Sequence, residues 1–504
     1  MNNFSRESSN TGKEYSRALF FLSPFIFLFS ISLFQVLNLT LLQGDKYQTI
    51  AESNRIYQKP INPVRGFIYD RKGTLLAENI VQRDLYVTPA YIEDSSKTIL
   101  TLSNLLNMPY ELLEKNFSRG VKKAKKFDSF PLVKALNEEQ IAKAKVNLDS
   151  ISGIEVKATL KRYVLHEETL AHILGYVGDI SFDDISRNKL LAEFQNTQIG
   201  KTGIEKDYDL ILRGKPGIQT QERDVKGKLV RVLDTLGAED GKDIYLSIDQ
   251  ELQEHLFKLF ENRRGALVAL EPKTGLVRAL ISSPSFNPNI LNSILDTDEV
   301  ESLFSNKESP IFNRAVSGQY PPASTLKPFV GLAAIENEVI SWDKKIKDDG
   351  EFYVEGDPRP YRGWKENGHG RVDMRKAIAE SSDVYFYTIA FDLTLSGIRP
   401  MLDSFGFGKK TGLTDFEANG LLPDKKWKLG YKGDFWFKGD TINLGIGQGY
   451  ILATPLQLAM AYSGLANKGL IYQPQFIQPT DEKSFEPKKA AEIQLSDKKA
   501  WEKM

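Results

Sequence analysis

The run from Ala18 to Leu42 constrains this chain more than any other stretch, because it is almost wholly apolar over a length that crosses about 30 Å of hydrocarbon as a helix. No other segment is this apolar, so a long buried core helix is the poorer reading. Residues 1–17 ahead of it are polar and carry Arg6, Lys13 and Arg17. Positive charge on that side predicts a cytoplasmic tail over 1–17, a transmembrane anchor over 18–42, and the bulk of the chain on the far side. The bulky Asn38-Leu39-Thr40-Leu41-Leu42-Gln43 offers no small-residue cleavage site, so the anchor is expected to stay attached. Its Phe-rich face suits a partner membrane helix.

Outside the anchor, 504 residues suggest roughly three domains. Sixty-six basic and 66 acidic residues cancel, which removes any electrostatic argument for nucleic acid. Cysteine is absent, excluding disulfides and thiolate metal sites.

Chemistry is most legible at Gly318-Gln319-Tyr320-Pro321-Pro322-Ala323-Ser324-Thr325-Leu326-Lys327-Pro328. Two prolines force an extended entry, and the apolar run Phe329 to Ile335 then reads as a buried helix starting near Ser324. A spacing of three puts Ser324 and Lys327 on one helical face, at a terminus whose dipole favours negative charge. A desolvated Lys can shed its proton and take one from the hydroxyl. Ser-x-x-Lys also occurs at Ser186/Lys189, Ser341/Lys344 and Ser496/Lys499, where a surface Ser beside a solvated Lys is the ordinary reading. On residues alone, both readings of Ser324 stand; the Pro-Pro entry and the apolar helix set it apart.

Tyr320 to Pro328 resembles the active-site serine motif of the penicillin-binding proteins, an acyl-serine enzyme family. Glu380-Ser381-Ser382-Asp383 followed by Val384-Tyr385-Phe386-Tyr387 is similar to the family's second element, Ser-x-Asn, with Asp in the Asn place. Asn443-Leu444-Gly445-Ile446-Gly447-Gln448-Gly449-Tyr450 with Ala453-Thr454-Pro455 resembles its Gly-Gln-Gly…Thr-Pro segment. The Arg65-Gly66 region, Gly200 to Lys206 and Leu212 to Gly217 are similar to the non-catalytic pedestal of class B members. The resemblance spans nearly the whole chain and is strongest to the rod-elongation members.

It implies an α+β multidomain protein: the anchor, an α/β pedestal over 43–235, and a serine transpeptidase/β-lactamase-like domain over 236–504. Ile244 to Ile248 reads as a strand, Asp249 as the cap of a helix from Gln250 to Glu261, and Gly265–Leu280 as a hairpin. The resemblance implies the catalytic set Ser324, Lys327, Ser381 and Asp383: a nucleophile, its base, a proton relay, and an acid that orients Lys327 and the substrate amide. An anion beside Lys327 favours its ammonium form, leaving open which partner holds the proton at rest.

The implied activity is D,D-transpeptidation of peptidoglycan stem peptides through an acyl-serine, with β-lactams as suicide substrates and no cofactor. Implied partners are a SEDS-family glycosyltransferase, since no segment reads as a glycosyltransferase domain, and membrane proteins of the elongation complex. A non-enzymatic activator of that polymerase, a β-lactam sensor and a β-lactamase are the alternatives.

Two expectations concern absences. The family's third motif, Lys-Thr/Ser-Gly on a strand lining the site, is not supplied after Thr454. Lys201-Thr202-Gly203, Lys273-Thr274-Gly275 and Lys410-Thr411-Gly412 precede the place where the family carries it. The chain is therefore expected to continue past Met504, a missing wall strand leaving an open edge on the hairpin. Some relatives place zinc near the counterpart of Trp364-Lys365-Glu366-Asn367-Gly368-His369-Gly370. Here Gly363 and Ser382 are poor ligands, so no metal is expected and His369 reads as a structural hydrogen-bonding residue. His166-Glu167-Glu168 and His172 likewise lack further ligands at useful spacing.

Overall fold

The computed structural model describes residues 8–39, 43, 55–124, 127–147, 151–188, 191, 198–224, 229–261, 263–291, 297–479 and 485–504. Residues 1–7 and 40–42 of the expected tail and anchor lie outside these, as do Lys125 and Lys126 of the Lys122–Lys126 charge run.

One compact unit comprises residues 1–62 and 216–238. Its helix Ser8–Leu37 begins well before the apolar run. Within it Phe20–Leu37 has a mean hydropathy of 2.1 and none of it is buried, so it is long and apolar enough to cross a membrane. Pro24 stands inside the helix. The same unit contains a three-stranded antiparallel sheet with Gly217–Arg223 between Ile56–Ile61 and Leu229–Leu236.

The second unit comprises residues 63–215 and 239–504. Strand Leu75–Val87 is its longest and pairs along its length with Ile154–Val164. Phe130–Val133 and Ile68–Tyr69 also pair with it, and Ile244–Tyr245 adds on parallel to Ile68–Tyr69. Helices Ser95–Leu106 and Tyr110–Lys123 bury Ile99, Leu102, Leu106 and Leu113 against this sheet's far end.

Near its other end the Arg65 segment meets the Gly203–Asp207 helix. Glu205, 0% exposed, is gripped by Arg65 Nε and Arg162 Nε, each at 2.6 Å. Burial alone would raise the Glu205 carboxyl, but the two guanidiniums outweigh it and hold the group below its ordinary range. Two of the stretches that read as pedestal signatures, the Arg65 segment and Gly200 to Lys206, thus meet in one buried ion cluster.

Asp249 caps the helix Gln250–Phe260, accepting from Leu252 N. Gly265–Leu270 and Val277–Ser283 form the expected antiparallel hairpin. Val277 and Ser247 donate to the carbonyls of Gln475 and Phe476, so the segment after the Leu470–Tyr472 strand lies against Val277 and Ser247. Among the described residues Gly265–Leu270 pairs only with Val277–Ser283.

Two helices build the wall behind the site. Lys327–Glu336 buries Phe329, Val330, Leu332, Ala333 and Ala334, and packs on Asp383–Ser404 through Tyr385, Phe386, Ile389 and Ala390. Phe329 is 0% exposed and meets Phe405, Phe407 and Tyr462 edge to face, with centroids 4.7, 5.3 and 5.3 Å away.

Candidate active site

The helix near Ser324 differs in detail from the sequence expectation. Ala323–Leu326 is a single 3₁₀ turn, and the α-helix begins only at Lys327 with Pro328 in its first turn. Proline cannot donate to the preceding turn, so the α-pattern starts where that donor is not needed. Residues i and i+3 eclipse in a 3₁₀ turn, so Ser324 and Lys327 still share one face. Ala323 enters this turn at φ 49, and its N–H donates to Gly447 O at 2.8 Å. Gly447 is itself at φ 71, and a Cβ there would lie 2.1 Å from Ala323 O. Only glycine permits that approach. Tyr462 Oη donates to Thr325 O at 2.8 Å and pins the turn from another side.

Ser324 is exposed while Lys327 is only 1% exposed. Lys327 Nζ donates to Asp383 Oδ1 at 2.7 Å, Ser381 O at 2.9 Å and Ser381 Oγ at 3.0 Å. Ser381 Oγ in turn lies 2.8 Å from Ser324 Oγ. Four side chains, separated by up to 59 positions in sequence, thus form one continuous chain of polar contacts. The amine reaches the exposed hydroxyl through Ser381. Burial lowers the Lys327 pKa and Asp383 pushes it back up; burial prevails, so the ammonium is easier to deprotonate than an ordinary lysine.

Ser381 sits at φ 53, in the left-handed region that non-glycine residues rarely enter. Ser382 caps the helix that follows, and its Oγ donates to Asp348 Oδ2 at 2.6 Å. His369 Nδ1 lies 2.7 Å from the same carboxylate oxygen. Asp348 was missed in the sequence, because nothing local marks a buried carboxylate 34 positions from its serine partner. His369 is a hydrogen-bonding residue in this arrangement. Asp348, His369 and Ser382 bring two good metal-ligating groups and a hydroxyl, too few for a zinc centre. The described residues hold no group of three or more His, Cys, Asp or Glu side chains placed to bind a metal. Elsewhere, His172 is half-buried, and desolvation of its ring is the main cause that pushes its pKa down to about 4, so it stands neutral.

Two of the three Lys-Thr-Gly triplets are engaged in local structure. Thr411 N and Oγ1 both donate to Glu417 Oε2, at 2.6 and 2.8 Å. Lys201 pairs with Asp184. Downstream, Thr454 and Gln457 form a reciprocal capping box at the helix Pro455–Ala466.

Comparison with known proteins identifies the family. Residues 265–503 match the penicillin binding protein transpeptidase domain, and residues 60–246 match the penicillin-binding protein dimerisation domain. The peptidoglycan D,D-transpeptidase MrdA of Haemophilus influenzae is 37% identical over 457 residues, which cover 90% of this chain and 70% of that protein. Its Escherichia coli K12 counterpart is 33% identical over 95% of this chain and 77% of its own length. The Acinetobacter baumannii counterpart is 38% identical, and this chain spans 65% of it. Among solved structures, penicillin-binding protein 2 of Helicobacter pylori in complex with MreC aligns with a TM-score of 0.80 at 29% identity, covering 89% of this chain and 83% of that one. The Pseudomonas aeruginosa protein bound to WCK 5153 aligns at 0.65 with 30% identity, covering 89% and 79%. An exposed serine backed by a buried lysine, on a chain related this extensively to these proteins, belongs to the penicillin-binding proteins, in the family of the peptidoglycan D,D-transpeptidase MrdA, or penicillin-binding protein 2.

Proposed function

We propose that this chain is a membrane-anchored D,D-transpeptidase that cross-links peptidoglycan stem peptides during cell elongation. One observation carries the mechanism: Ser381 Oγ bridges Ser324 Oγ at 2.8 Å and Lys327 Nζ at 3.0 Å. Ser324 Oγ attacks the carbonyl of the penultimate D-Ala. Once Lys327 has given up its own proton, which burial makes easier, the Ser324 proton passes through Ser381 to the Lys327 amine as the Oγ–C bond forms. The C–N bond to the terminal D-Ala then breaks, and the proton returns along the same path to the leaving amine. An amine of a second stem displaces Ser324 and completes the cross-link. Asp383 orients Lys327, and the Ser324 N–H serves as an oxyanion donor. A β-lactam offers the same carbonyl and leaves Ser324 acylated.

The anchor is read as a single pass with residues 1–17 cytoplasmic, supported by Arg6, Lys13 and Arg17 ahead of the apolar helix. We place the pedestal at 43–235 and the transpeptidase domain at 236–504; the matched family regions support a division in this neighbourhood. A SEDS-family glycosyltransferase is the expected polymerase partner. An MreC-type protein is a second, by analogy with the Helicobacter pylori complex.

Labelling with fluorescent penicillin tests the reading. The protein forms a stable covalent adduct, and Ser324→Ala abolishes it while membrane insertion persists. An adduct mapped to another serine, or rapid turnover of the drug, overturns the assignment.

A further inference from the structure

Trp364 carries an unusual combination of features. Tryptophan is on average well buried, yet Trp364 is 66% exposed. Its one aromatic neighbour among the described residues is His369, edge to face at 5.5 Å. Packing therefore does not account for its placement. Its two N–H groups are both committed to the second catalytic element. The indole Nε1–H donates to Ser381 O at 3.1 Å, and the main-chain N–H donates to Asp383 Oδ2 at 3.1 Å.

These contacts fall where the site is conformationally expensive. Ser381 at φ 53 holds a backbone shape that persists only when its surroundings impose it. That shape aims Oγ at Ser324 while turning the carbonyl back toward Lys327. The carbonyl accepts from Lys327 Nζ at 2.9 Å as well as from the indole. On the other side, Asp383 spends Oδ1 on Lys327 and Oδ2 on the Trp364 N–H. The segment bearing Trp364 is itself anchored: Gly363 N donates to Gly350 O at 2.8 Å, and Gly350 N donates to Asp348 Oδ1 at 2.9 Å. Asp348 also receives Ser382 Oγ.

We propose that Trp364 is a positioning residue for serine acylation: its indole and main-chain N–H groups hold the Ser381 carbonyl and the Asp383 carboxylate, and so fix the Ser381 hydroxyl between Ser324 and Lys327. The proposal rests on the acyl-serine reading above. It adds a residue outside the catalytic motifs, on a segment that joins Asp348, Trp364 and His369 to three successive residues, Ser381, Ser382 and Asp383.

Sharing of the Ser381 carbonyl has a consequence for pH. Lys327 is faced by Asp383, by Asp348 at longer range, by the Ser381 oxygens and by the Phe386 ring at 5.5 Å; Trp364 is faced by Asp383 and His369. Removing the indole donor leaves the carbonyl to Lys327 alone. That favours the ammonium, because a hydrogen bond to the charged form stabilises it.

Trp364→Phe keeps a ring and the main-chain N–H but loses the indole donor. In the membrane-anchored protein, the rate of acylation by fluorescent penicillin is expected to fall about tenfold, the worth of one hydrogen bond. The acid limb of the rate–pH profile is expected to move to higher pH. An unchanged rate, or a fall with the limb unmoved, overturns the proposal, since lost packing alone does not displace the limb. A second readout is independent of acylation. In ¹⁵N-labelled wild-type protein, the indole proton assigned by its disappearance in Trp364→Phe is expected to exchange slowly with solvent although the ring is exposed. Fast exchange overturns the proposal. Wild-type protein that takes no label at Ser324 refutes the acyl-serine reading instead, and the exchange measurement still decides whether Trp364 holds Ser381.

Discussion

Lys327 and Asp383 form an ion pair of 2.7 Å in which the lysine is 1% exposed, and burial still lowers the lysine's pKa despite the carboxylate. Two opposing effects set the proton's place. Desolvation disfavours the ammonium, Asp383 favours it, and the first is larger. Asp383→Asn removes the opposing effect while keeping an acceptor oxygen. The acid limb of penicillin acylation against pH is then expected to move to lower pH, because Lys327 loses its proton more readily. A limb moving to higher pH would show that Asp383 does not act through Lys327.

Ser381 Oγ stands between Ser324 and Lys327. Ser381→Ala removes the relay without altering the buried lysine's other contacts. Acylation is expected to slow about 10²-fold or more, the usual contribution of a positioned proton-transfer group. Stopped-flow acylation measures it, and a change under threefold would place the proton path elsewhere.

Gly447 holds Ala323 by an approach closed to any side chain. Gly447→Ala adds both a clash and the strain of φ 71, a cost of about 1–2 kcal/mol for the backbone alone. Because Ala323 precedes Ser324, the proposed nucleophile, acylation is expected to fall at least tenfold with circular dichroism unchanged. Wild-type acylation in this variant would mean that the Ala323 contact does not position Ser324.

Glu205 joins Arg65 and Arg162 inside the second unit. Glu205→Gln leaves two buried guanidiniums short of their shared anion, at a cost of about 3–5 kcal/mol in urea unfolding. The native Glu205 pKa lies below the ordinary value. Its contribution is therefore present above the unfolded pKa and lost as pH falls through the folded one. The variant should show a weaker loss of stability in that acid range than the parent.

His172 works in the same direction, over a higher pH range. Its folded value of about 4 lies below an unfolded value of about 6.5, so protonation favours the unfolded chain. Stability should be unaffected above pH 6.5 and should decline between there and pH 4, by about 3 kcal/mol in all. His172→Gln should flatten that slope in urea titrations at pH 7 and pH 4.5. An unchanged slope would assign the acid sensitivity to other groups.

Much of the protein was readable in one dimension because the signals are local. The apolar run at the N-terminus, the Asp249 cap, the hairpin at 265–283 and the Ser324–Lys327 spacing depend on residues a few positions apart, where periodicity and backbone chemistry decide. The 3₁₀ form of the Ser324 turn was less legible, because the Gly447 contact that accompanies it comes from over 120 positions away. Ser381 and Asp383 could be named by resemblance, but their junction with Lys327 required two helices to pack through Phe329, Tyr385 and Phe386. Asp348, Trp364 and Glu205 were invisible as participants. Their partners are 17 to 140 positions distant, and no pattern of hydrophobicity or turn chemistry couples such pairs. The sequence determined which polar side chains each local segment carries; only the closed chain decided which of them would share one desolvated space, and there burial makes the Lys327 ammonium easier to deprotonate.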